Sequence, residues 1–382
     1  MENSPIYLDY NATTPVDPQV LEAMMPYFHT CPGNANSVQH RQGKEAADAV
    51  ESAREEVANL IGCSPPEIIF TSGATESINL AIKGANGLNT DNPYCLITSS
   101  IEHKAVLETC LHLEKQGALL TILPVLQNGL LDWSSTHLEA SNHKGMIAIH
   151  YANNETGTIQ DASKVYELAK SQGLAYFSDA TQAVGKIEVN PKNQGMDLMA
   201  FSGHKLYGPK GIGALFINTE SAIQLNPLTH GGNHENGIRA GTLNVPAIVG
   251  FGKACSIASH NLQIENQRIA LLRQMLLNEL MEIHGTILNG HPTSTLPNTL
   301  NISFQNVSAI MLIEAVQSSL SVSTGSACSS AMDGPSHVLE AMGLSQERIR
   351  NSIRISLGRF TTKEEIINTG KILRDTIVKL RN

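Results

Sequence analysis

The sequence contains little charge and no block of basic residues. Only 16% of its 382 residues are Asp, Glu, Lys or Arg, and 35 acidic residues against 26 Lys and Arg give a formal net charge of −9. Proteins that bind nucleic acid or an anionic membrane surface concentrate Lys and Arg on one face. The absence of such a concentration argues against both classes, so we expect no nucleic acid and no membrane among the direct partners.

Signals for export or membrane insertion are also absent. The first residues, MENSPIYLDYNATT, have neither the basic start nor the apolar run of a secretory signal. The longest uncharged stretch, residues 286–313, contains two prolines and many Asn, Ser and Thr residues, which would leave polar groups unpaired in lipid. We therefore expect a soluble, cytoplasmic protein.

The six cysteines show no spacing that favours a disulfide framework or a structural metal site. No CxxC pair occurs, and a chain of this length without an export signal is not the small secreted type that disulfides stabilise. We expect no metal site. Five cysteines are predicted to be small buried apolar residues, namely Cys31, Cys63, Cys95, Cys110 and Cys255.

The apolar pattern of the first two thirds of the chain predicts an open α/β sheet. Short apolar and β-branched runs alternate with helical patterns such as Lys44–Ile61, which Gly62 would end. Most of these runs are apolar on both faces, as in a sheet covered by helices on each side. The predicted strands are Glu67–Thr71, Tyr94–Thr98, Leu119–Leu123, Met146–His150, Ala175–Ser178, Leu198–Phe201 and Gly213–Ile217.

The last third of the chain has a different pattern, which predicts a smaller α+β domain. A long helix over about 257–284 precedes the strands Thr299–Phe304 and Ile353–Leu357, and an amphipathic helix over Lys363–Leu380 comes last. Helices and strands in separate runs are typical of α+β domains. We therefore predict a large α/β domain over residues 16–256, and a small domain from residues 1–15 and 257–382.

Open α/β sheets bind ligands at the carboxyl ends of their strands, so the polar residues at those ends are the candidates for a site. Thr71–Glu76 follows one strand with small residues that start a helix. Its N–H groups, with the Thr75 hydroxyl, suit an anion such as phosphate, and the alternative is an ordinary capped helix. His103 follows another strand and either serves a ligand, by stacking or proton transfer, or is a simple loop histidine.

Two charged residues follow two further strands. Asp179 could orient a catalytic group, bind a metal or neutralise a protonated ring nitrogen, and the alternative is an N-cap for the next helix. Lys205 lies among Gly, His, Tyr and Pro residues, where burial would lower its pKa and suit it to form a Schiff base. The alternative is an exposed loop lysine. With the anion site and His103, these residues match the needs of pyridoxal 5'-phosphate (PLP), which the sequence therefore predicts as cofactor.

Long motifs follow one another along the chain. They are YLDYNATTPVDP, FTSGATESINLAIKG, EHKAVL, NNETG, DATQAVGK, FSGHKLYGPKGIG, HGGNHENGIRAGT, STGSACSS and SIRISLGRF. Through these motifs the chain resembles, essentially from end to end, the group I cysteine desulfurases (NifS/IscS type) of the PLP-dependent class V aminotransferase superfamily. The resemblance implies the fold type I (aspartate aminotransferase-like) of PLP-dependent transferases, with a mostly parallel seven-stranded sheet in the large domain.

The resemblance also implies roles for individual residues. Arg354, with Asn154, would bind the substrate carboxylate. Lys205 would move the proton at the substrate Cα, and His103 the proton on the substrate thiol. The residues that would bind the cofactor are Lys205 through a Schiff base, Asp179 at the ring nitrogen, His103 stacked on the ring, Asn154 and Gln182 at the ring substituents, Ala74, Thr75, Ser202 and His204 at the phosphate, and Thr242 from the partner subunit of a homodimer.

Cys328 lies within a run of small residues, Ser323–Gly334, that offers little apolar anchorage, so we expect a segment able to move. A structural cysteine would normally have Leu, Ile or Val as neighbours. The sequence therefore predicts that Cys328 is a catalytic nucleophile, and its Ser-Thr-Gly-Ser-Ala-Cys setting is the form of the group I loop. As a thiolate it would attack the sulfur of L-cysteine, leaving L-alanine and a persulfide on Cys328.

Two alternatives and one open question accompany this prediction. The chain could be a selenocysteine lyase or another class V aminotransferase, although transamination needs no nucleophilic thiol, or a catalytically silent scaffold. The sulfur acceptor could be an iron–sulfur scaffold protein, or it could serve the thiolation of tRNA or of cofactors or the phosphorothioation of DNA. Well-known family members carry a further segment after the last helix that helps to dock the iron–sulfur scaffold. This sequence ends at Asn382, so the desulfurase chemistry is the firmer expectation.

Overall fold

The structure, a computed structural model, describes residues 4–85, 93–135, 144–325 and 335–382, so that Cys328 lies outside the described residues. In these four ranges the chain forms twelve strands, which are β1 (Ile6–Tyr7), β2 (Ile68–Thr71), β3 (Cys95–Ser99), β4 (Leu119–Leu123), β5 (Gly145–Ala148), β6 (Ala175–Asp179), β7 (Leu198–Ser202), β8 (Gly213–Ile217), β9 (Thr286–Asn289), β10 (Thr299–Phe304), β11 (Leu320–Ser321) and β12 (Ser352–Ser356).

The same ranges contain eleven α-helices, together with short 3₁₀ turns. They are α1 (Pro18–Met24), α2 (Pro26–His29), α3 (Arg41–Ile61), α4 (Ala74–Ala85), α5 (Lys104–Glu114), α6 (Ala162–Gln172), α7 (Val245–Met281), α8 (Ala309–Val316), α9 (His337–Ala341), α10 (Gln346–Arg350) and α11 (Lys363–Arg381). No helix of the described part is both long and apolar enough to cross a membrane.

The seven predicted strands of the first two thirds form one sheet in the order β2-β8-β7-β6-β5-β3-β4. Neighbouring strands are parallel except that β8 runs antiparallel to both β2 and β7. The sheet is therefore mostly parallel, as predicted. Because β8 alone is reversed, the carboxyl ends of the other strands meet at one edge of the sheet.

Helices cover both faces of this sheet because successive strand residues point to opposite sides. Ile68 and Tyr176 pack in an apolar core with α3 and the first part of α7, whereas their neighbours Ile69 and Phe177 pack in a second core with α4 and α5. The outer strand β4 is exposed at most positions, as an edge strand is. Alternate packing explains why the strands read as continuous apolar runs.

Helix α7 begins at Val245, twelve residues before the predicted start. Asn244 caps it by accepting a hydrogen bond from the Ala247 N–H. Its first turns contain a proline and two glycines, which have low helix propensity, so the sequence pattern did not predict a helix there. The glycines serve packing: a Cβ on Gly252 would lie 2.6 Å from Cα and Cβ of Ala53 in α3. Close contact between the two helices thus outweighs poor helix propensity.

A further apolar core lies around the sheet β12-β10-β9, which is antiparallel throughout. Helices α8 and α11 pack on it together with the second part of α7, so one long helix contributes to two cores. Strand β1 pairs with β11 beside this core. The domain boundaries at 15/16 and 256/257 stay a prediction, and the second of them falls inside α7.

Candidate active site

A cavity of about 450 Å³ opens at the carboxyl ends of the parallel strands. Strands β2, β3, β5, β6 and β7 each end near it, as the general rule for open α/β sheets requires. Nine of the predicted site residues line this cavity, namely Ala74, Thr75, His103, Asn154, Asp179, Gln182, Ser202, His204 and Lys205. The structure thus brings together side chains that are spread over 132 positions of the sequence.

Lys205 lies in a 3₁₀ turn directly after β7 and is 8% exposed. Its Nζ donates hydrogen bonds to the backbone carbonyls of Asn11 and Ala12, at 2.7 and 2.6 Å. The amine is therefore buried at the cavity wall, and the alternative of an exposed loop lysine is wrong. Asn11, Ala12 and Thr13 also line the cavity, although sequence reasoning did not place them there.

Asp179 is the last residue of β6 and is 8% exposed. Its Oδ1 accepts a hydrogen bond from the N–H of Thr181 at 3.0 Å, so the carboxylate does cap the turn that follows. The same carboxylate lines the cavity. The two interpretations of Asp179 are thus compatible, because one oxygen caps the turn while the residue faces the ligand space.

The start of α4 offers backbone donors to the cavity. The Ser72 N–H donates to the Glu76 carboxylate at 2.6 Å and the Gly73 N–H to the Thr71 hydroxyl at 3.3 Å. The N–H groups of Ala74 and Thr75, in the first turn, have no intrahelical acceptor. Gly73 has φ +152°, and a Cβ there would occupy the space 3.7 Å from the Ser202 Oγ. We call this turn around Gly73, beside the Ser202 hydroxyl, the glycine cradle.

His204 lies beside this cradle, with its Nδ1 3.1 Å from the Thr13 hydroxyl. Burial, reinforced by the positive charges of Lys205, Lys210 and Lys186, lowers the pKa of His204 from 6.5 to about 4. The imidazole is therefore neutral at physiological pH. A neutral imidazole can donate one hydrogen bond to an anion but adds no charge.

We expect the lowered pKa of His204 to make acidification destabilising. Between pH 6.5 and about 4 the unfolded chain binds the proton that the folded chain excludes, so this contribution to stability is present above pH 6.5 and is lost as the pH falls toward 4. In cofactor-free protein, denaturant unfolding should show the wild type losing stability relative to His204→Gln over this range. The exposed His284→Gln variant is the control, and a difference from wild type that is constant with pH would contradict the assignment.

His103 is the N-cap of α5, and its Nδ1 accepts a hydrogen bond from the Ala105 N–H at 3.1 Å. An Nδ1 that accepts places the proton of the neutral ring on Nε2. Because His103 also lines the cavity, the helix start fixes the orientation and the tautomer of a ring that faces the ligand space.

Gln182 is held by a residue that the sequence did not single out. Lys186 donates from Nζ to the Gln182 Oε1 at 2.6 Å, and the Gln182 Nε2 donates to the Asn11 carbonyl at 3.0 Å. Burial, with the charges of Lys205 and Arg354, lowers the pKa of Lys186 well below its usual value. The amide orientation of Gln182 is thus set by the Lys186 amine, four residues further along the chain.

Arg354 lies in β12 and is 1% exposed, and it is not among the residues that line the cavity. Its Nη2 donates to the Asp9 carboxylate at 2.7 Å and its Nη1 to the Asn154 carbonyl at 3.1 Å. The Nε is buried without a hydrogen-bond partner in the described part of the chain. Arg354 therefore reaches the cavity wall through Asn154, and Asp9 is a partner that sequence reasoning missed.

Thr242 does not line the cavity. Thr242 is exposed in the segment before α7. An ion pair of 2.8 Å from Arg239 to Glu76 joins this segment to α4. Cys328 lies outside the described residues, which reach Gly325 on one side and Pro335 on the other.

The walls of the cavity fit pyridoxal phosphate. They present a buried primary amine, a carboxylate at a strand end, and a helix start with a glycine cradle beside Ser202 and His204. The Thr181 Oγ1 and the His150 Nε2 are buried at this cavity without a hydrogen-bond partner among the described residues. The volume lies within the range of about 300–1,000 Å³ that is usual for ligand pockets.

Comparison with known proteins agrees with this geometry. The family model for the class V aminotransferases matches residues 6–368. The chain belongs to the class V aminotransferase family. It is 46% identical over 380 residues to the cysteine desulfurase IscS of Escherichia coli O139:H28, which covers 99% of this chain and 94% of that protein.

Two solved structures support the same placement. A NifS-like protein is 36% identical with a TM-score of 0.91 and covers 98% of this class V chain and 100% of its own. SspA in complex with cysteine is 35% identical with a TM-score of 0.82, and covers 94% of this chain and 100% of its own. Membership makes the chain a PLP-dependent enzyme of the cysteine desulfurase type, which confirms the predicted family, fold class, cofactor and enzyme class. The roles of individual residues stay predictions.

Proposed function

We propose that this class V enzyme removes the sulfur of L-cysteine, releases L-alanine and carries the sulfur as a persulfide on Cys328. The observation that supports this most directly is the meeting of the buried Lys205 amine, the Asp179 carboxylate and the start of α4 in one cavity. These are the three anchors that PLP needs. Among the reactions that PLP supports, similarity to relatives named cysteine desulfurase favours the removal of sulfur from cysteine.

PLP, when bound, supplies an electron sink for the substrate. In this proposal Ala74, Thr75, Ser202 and His204 would hold its phosphate, with Thr242 added by the partner subunit. Asp179 would pair with the ring nitrogen, Asn154 and Gln182 with the ring substituents, and His103 would stack on the ring.

The chain's own groups move the protons of the substrate. The Lys205 Nζ takes the proton from the substrate Cα, since it is the buried amine that faces the cavity. The Nε2 of His103, whose Nδ1 is occupied by the Ala105 N–H, handles the proton of the substrate thiol. The Cys328 thiolate attacks the substrate sulfur. A sulfur–sulfur bond forms, the substrate Cβ–S bond breaks, and its electron pair stays with the carbon skeleton, which takes up a proton on the way to alanine.

The described cysteines support the choice of Cys328. Burial raises the pKa of Cys63 and of Cys110 to about 12, and also raises the pKa values of Cys95 and Cys255. At neutral pH these four thiols are almost wholly protonated, and a protonated thiol is a poor nucleophile. The persulfide therefore belongs on a cysteine outside this group.

Product analysis tests the proposed function. Purified holoenzyme given L-cysteine and a reductant should form alanine and sulfide in equal amounts, and without the reductant it should gain the mass of one sulfur atom on Cys328. Transfer of the amino group to a keto acid without alanine would favour the class V aminotransferase alternative. A strong preference for selenocysteine would favour the selenocysteine lyase.

Arg354 is proposed to bind the substrate carboxylate through its planar pair of donors. We expect Arg354→Lys, which keeps the charge and loses the fork, to raise the KM for cysteine by about 10- to 100-fold, the value of one or two charged hydrogen bonds. The kcat should change much less, and the cofactor absorbance should persist. Steady-state kinetics measure this, and an unchanged KM in a folded, loaded variant would show that another group binds the carboxylate.

We further propose that the enzyme is a cytoplasmic homodimer that passes sulfur to an acceptor protein. The exposed Thr242 and its ion-paired segment suit a contribution to a partner's cavity. The acceptor is an iron–sulfur scaffold or a thiolation relay. Co-purification followed by transfer of labelled sulfur from cysteine identifies it, and light scattering gives the oligomeric state.

A further inference from the structure

Glu76 places a negative charge at the point where the proposed site binds an anion. It lies in the first turn of α4, and it lines the cavity. The positive end of the helix dipole and the N–H groups of that turn suit an anionic ligand. A carboxylate of the protein at the same helix end repels such a ligand, unless another group cancels its charge.

Arg239 is the group that contacts this carboxylate. Its Nε donates to Oε1 of Glu76 at 2.8 Å and its Nη2 to Oε2 at 3.5 Å, so the guanidinium meets the carboxylate at two points. Oε2 also accepts the Ser72 N–H at 2.6 Å. Arginine stays protonated in proteins, and a carboxylate that accepts from three N–H groups is held ionised. The two side chains therefore cancel each other's charge, and Glu76 holds the backbone of Ser72 directly before the glycine cradle.

The segment before α7, which contains Arg239, is held in place by a buried ion pair. Arg54 in α3 donates from Nη1 and Nη2 to the two carboxylate oxygens of Glu235, at 2.9 and 2.8 Å, and both residues are buried. Glu235 also accepts the Phe70 N–H at 2.7 Å, and Arg54 donates to the Ile68 carbonyl at 2.7 Å. These backbone groups belong to β2, the strand that leads into the glycine cradle.

The backbone of this segment is strained at the same point. Glu235 and Asn236 have φ of +46° and +56°, in the left-handed region that residues other than glycine seldom adopt unless surrounding contacts hold them there. The buried carboxylate of Glu235 supplies such contacts. Arg239 follows four residues later and reaches Glu76. Its position is therefore fixed by the fold and is not the accidental meeting of two surface side chains.

We propose that Arg239 is a positioning residue for the phosphate site, whose guanidinium neutralises Glu76 and holds it on the Ser72 N–H, so that the start of α4 can bind a dianion. This inference rests on the proposed binding of the cofactor phosphate at Ala74 and Thr75. It implies that loss of Arg239 weakens PLP binding through the exposed charge of Glu76, not through a lost contact with the cofactor. Removal of that charge as well should therefore repair the defect.

Three variants and a control separate these effects. Arg239→Gln leaves the charge of Glu76 without its partner. Glu76→Gln removes the charge and keeps an oxygen that can accept the Ser72 N–H, and the double variant removes both charges. Arg374→Gln is the matched control, because Arg374 in α11 forms a partly exposed ion pair with Glu279 in α7 and neither residue lines the cavity.

The first measurement is the affinity of cofactor-free protein for PLP and for pyridoxal, which lacks the phosphate. Arg239→Gln should raise the Kd for PLP by about tenfold or more, the effect of one like charge beside a partly buried anion, and leave the Kd for pyridoxal unchanged. Glu76→Gln and the double variant should bind PLP at least as tightly as the wild type. Arg374→Gln should match the wild type for both ligands.

The second measurement is the salt dependence of the same affinities. Dissolved ions screen partly exposed charges, and the screening length falls from about 10 Å at 0.1 M salt to about 3 Å at 1 M. The side chains of Glu76 and Arg239 are 24% and 25% exposed, so ions can reach them. The PLP-binding defect of Arg239→Gln relative to the wild type should therefore shrink at high salt. A defect that salt leaves unchanged would contradict the electrostatic role.

Further outcomes would overturn the inference. A double variant as weak as Arg239→Gln would mean that Arg239 binds the phosphate itself or only orders its segment. Equal weakening for PLP and pyridoxal would mean general damage to the cavity. Unchanged PLP affinity in folded Arg239→Gln would show that the charge of Glu76 does not matter. Weakened PLP binding by Glu76→Gln would also overturn the inference, even if Arg239→Gln did not fold.

Ser202→Ala separates this inference from the proposed function. Ser202 is proposed to hold the phosphate, so its loss should weaken the binding of PLP and not that of pyridoxal. If Ser202→Ala shows this and Arg239→Gln does not, the role of Arg239 alone is refuted. If neither variant shows it, the proposed phosphate site is wrong and the inference fails with it. Wild type that binds PLP but forms no alanine from cysteine would refute the proposed function and leave the role of Arg239 standing.

Discussion

Replacing Lys205 with alanine is expected to lower alanine formation by about 10³-fold or more, because one substitution removes both the covalent anchor of the cofactor and the base at the substrate Cα. The amine is buried at the cavity wall, where its Nζ donates hydrogen bonds to the backbone carbonyls of Asn11 and Ala12 at 2.7 and 2.6 Å. Alanine leaves that position without any group that can bond to an aldehyde.

Borohydride reduction followed by peptide mapping measures the anchor separately from the rate. Wild-type protein should retain the cofactor mass on the peptide that contains Lys205, and Lys205→Ala should retain none. The exposed Lys44→Ala in α3 is the control and should match the wild type in both readouts. Cofactor mass on another lysine of the variant, with activity kept, would refute the assignment.

Replacing Cys328 with serine is expected to abolish persulfide formation and to lower alanine formation by about 10³-fold or more, while the covalent cofactor stays in place. A serine hydroxyl ionises far less readily than a thiol and cannot hold a sulfur atom as a persulfide. Loss of activity with retained cofactor absorbance therefore distinguishes this variant from Lys205→Ala.

Cys63→Ser is the matched control for Cys328→Ser. Burial raises the pKa of the Cys63 thiol to about 12, so its thiolate is scarce at neutral pH and its loss should leave alanine formation unchanged. Cys31 is a free, half-buried cysteine, and Cys31→Ser tests whether it carries any of the persulfide. Full activity of Cys328→Ser, or persulfide on Cys31 in the wild type, would contradict the proposed nucleophile.

The strands and the place of the site could be predicted from the sequence because both depend on local patterns. A strand that is covered on both faces is mostly apolar, and β6 and β7 show this in Ala175–Phe177 and Leu198–Phe201. The residues just after such strands fall at one edge of the sheet. Asp179 and Lys205 were found in that way, and the cavity brings them together.

The partners of these residues were not predictable in the same way. Asn11 and Ala12 bond to Lys205 across more than 190 positions, and Asp9 bonds to Arg354 across 345. Nothing in the segment YLDYNATT distinguishes a polar residue at a cavity from one in water. The start of helix α7 was predicted too far along the chain for a related reason. The glycines in its first turns lower helix propensity, and only the close contact with α3 explains why they are there.

The sequence by itself determined the order of the strands along the chain, the residues that end them and, through its motifs, the family and the cofactor. The tertiary structure alone decided which polar and charged groups meet: Lys186 with Gln182, Arg354 with Asp9, and His150 with Glu102. Ionisation depends on burial and on the nearest opposite charge, and both are set by segments that are remote in sequence. For that reason the neutral His204 and the unpaired Nε2 of His150 become visible only once the chain is folded.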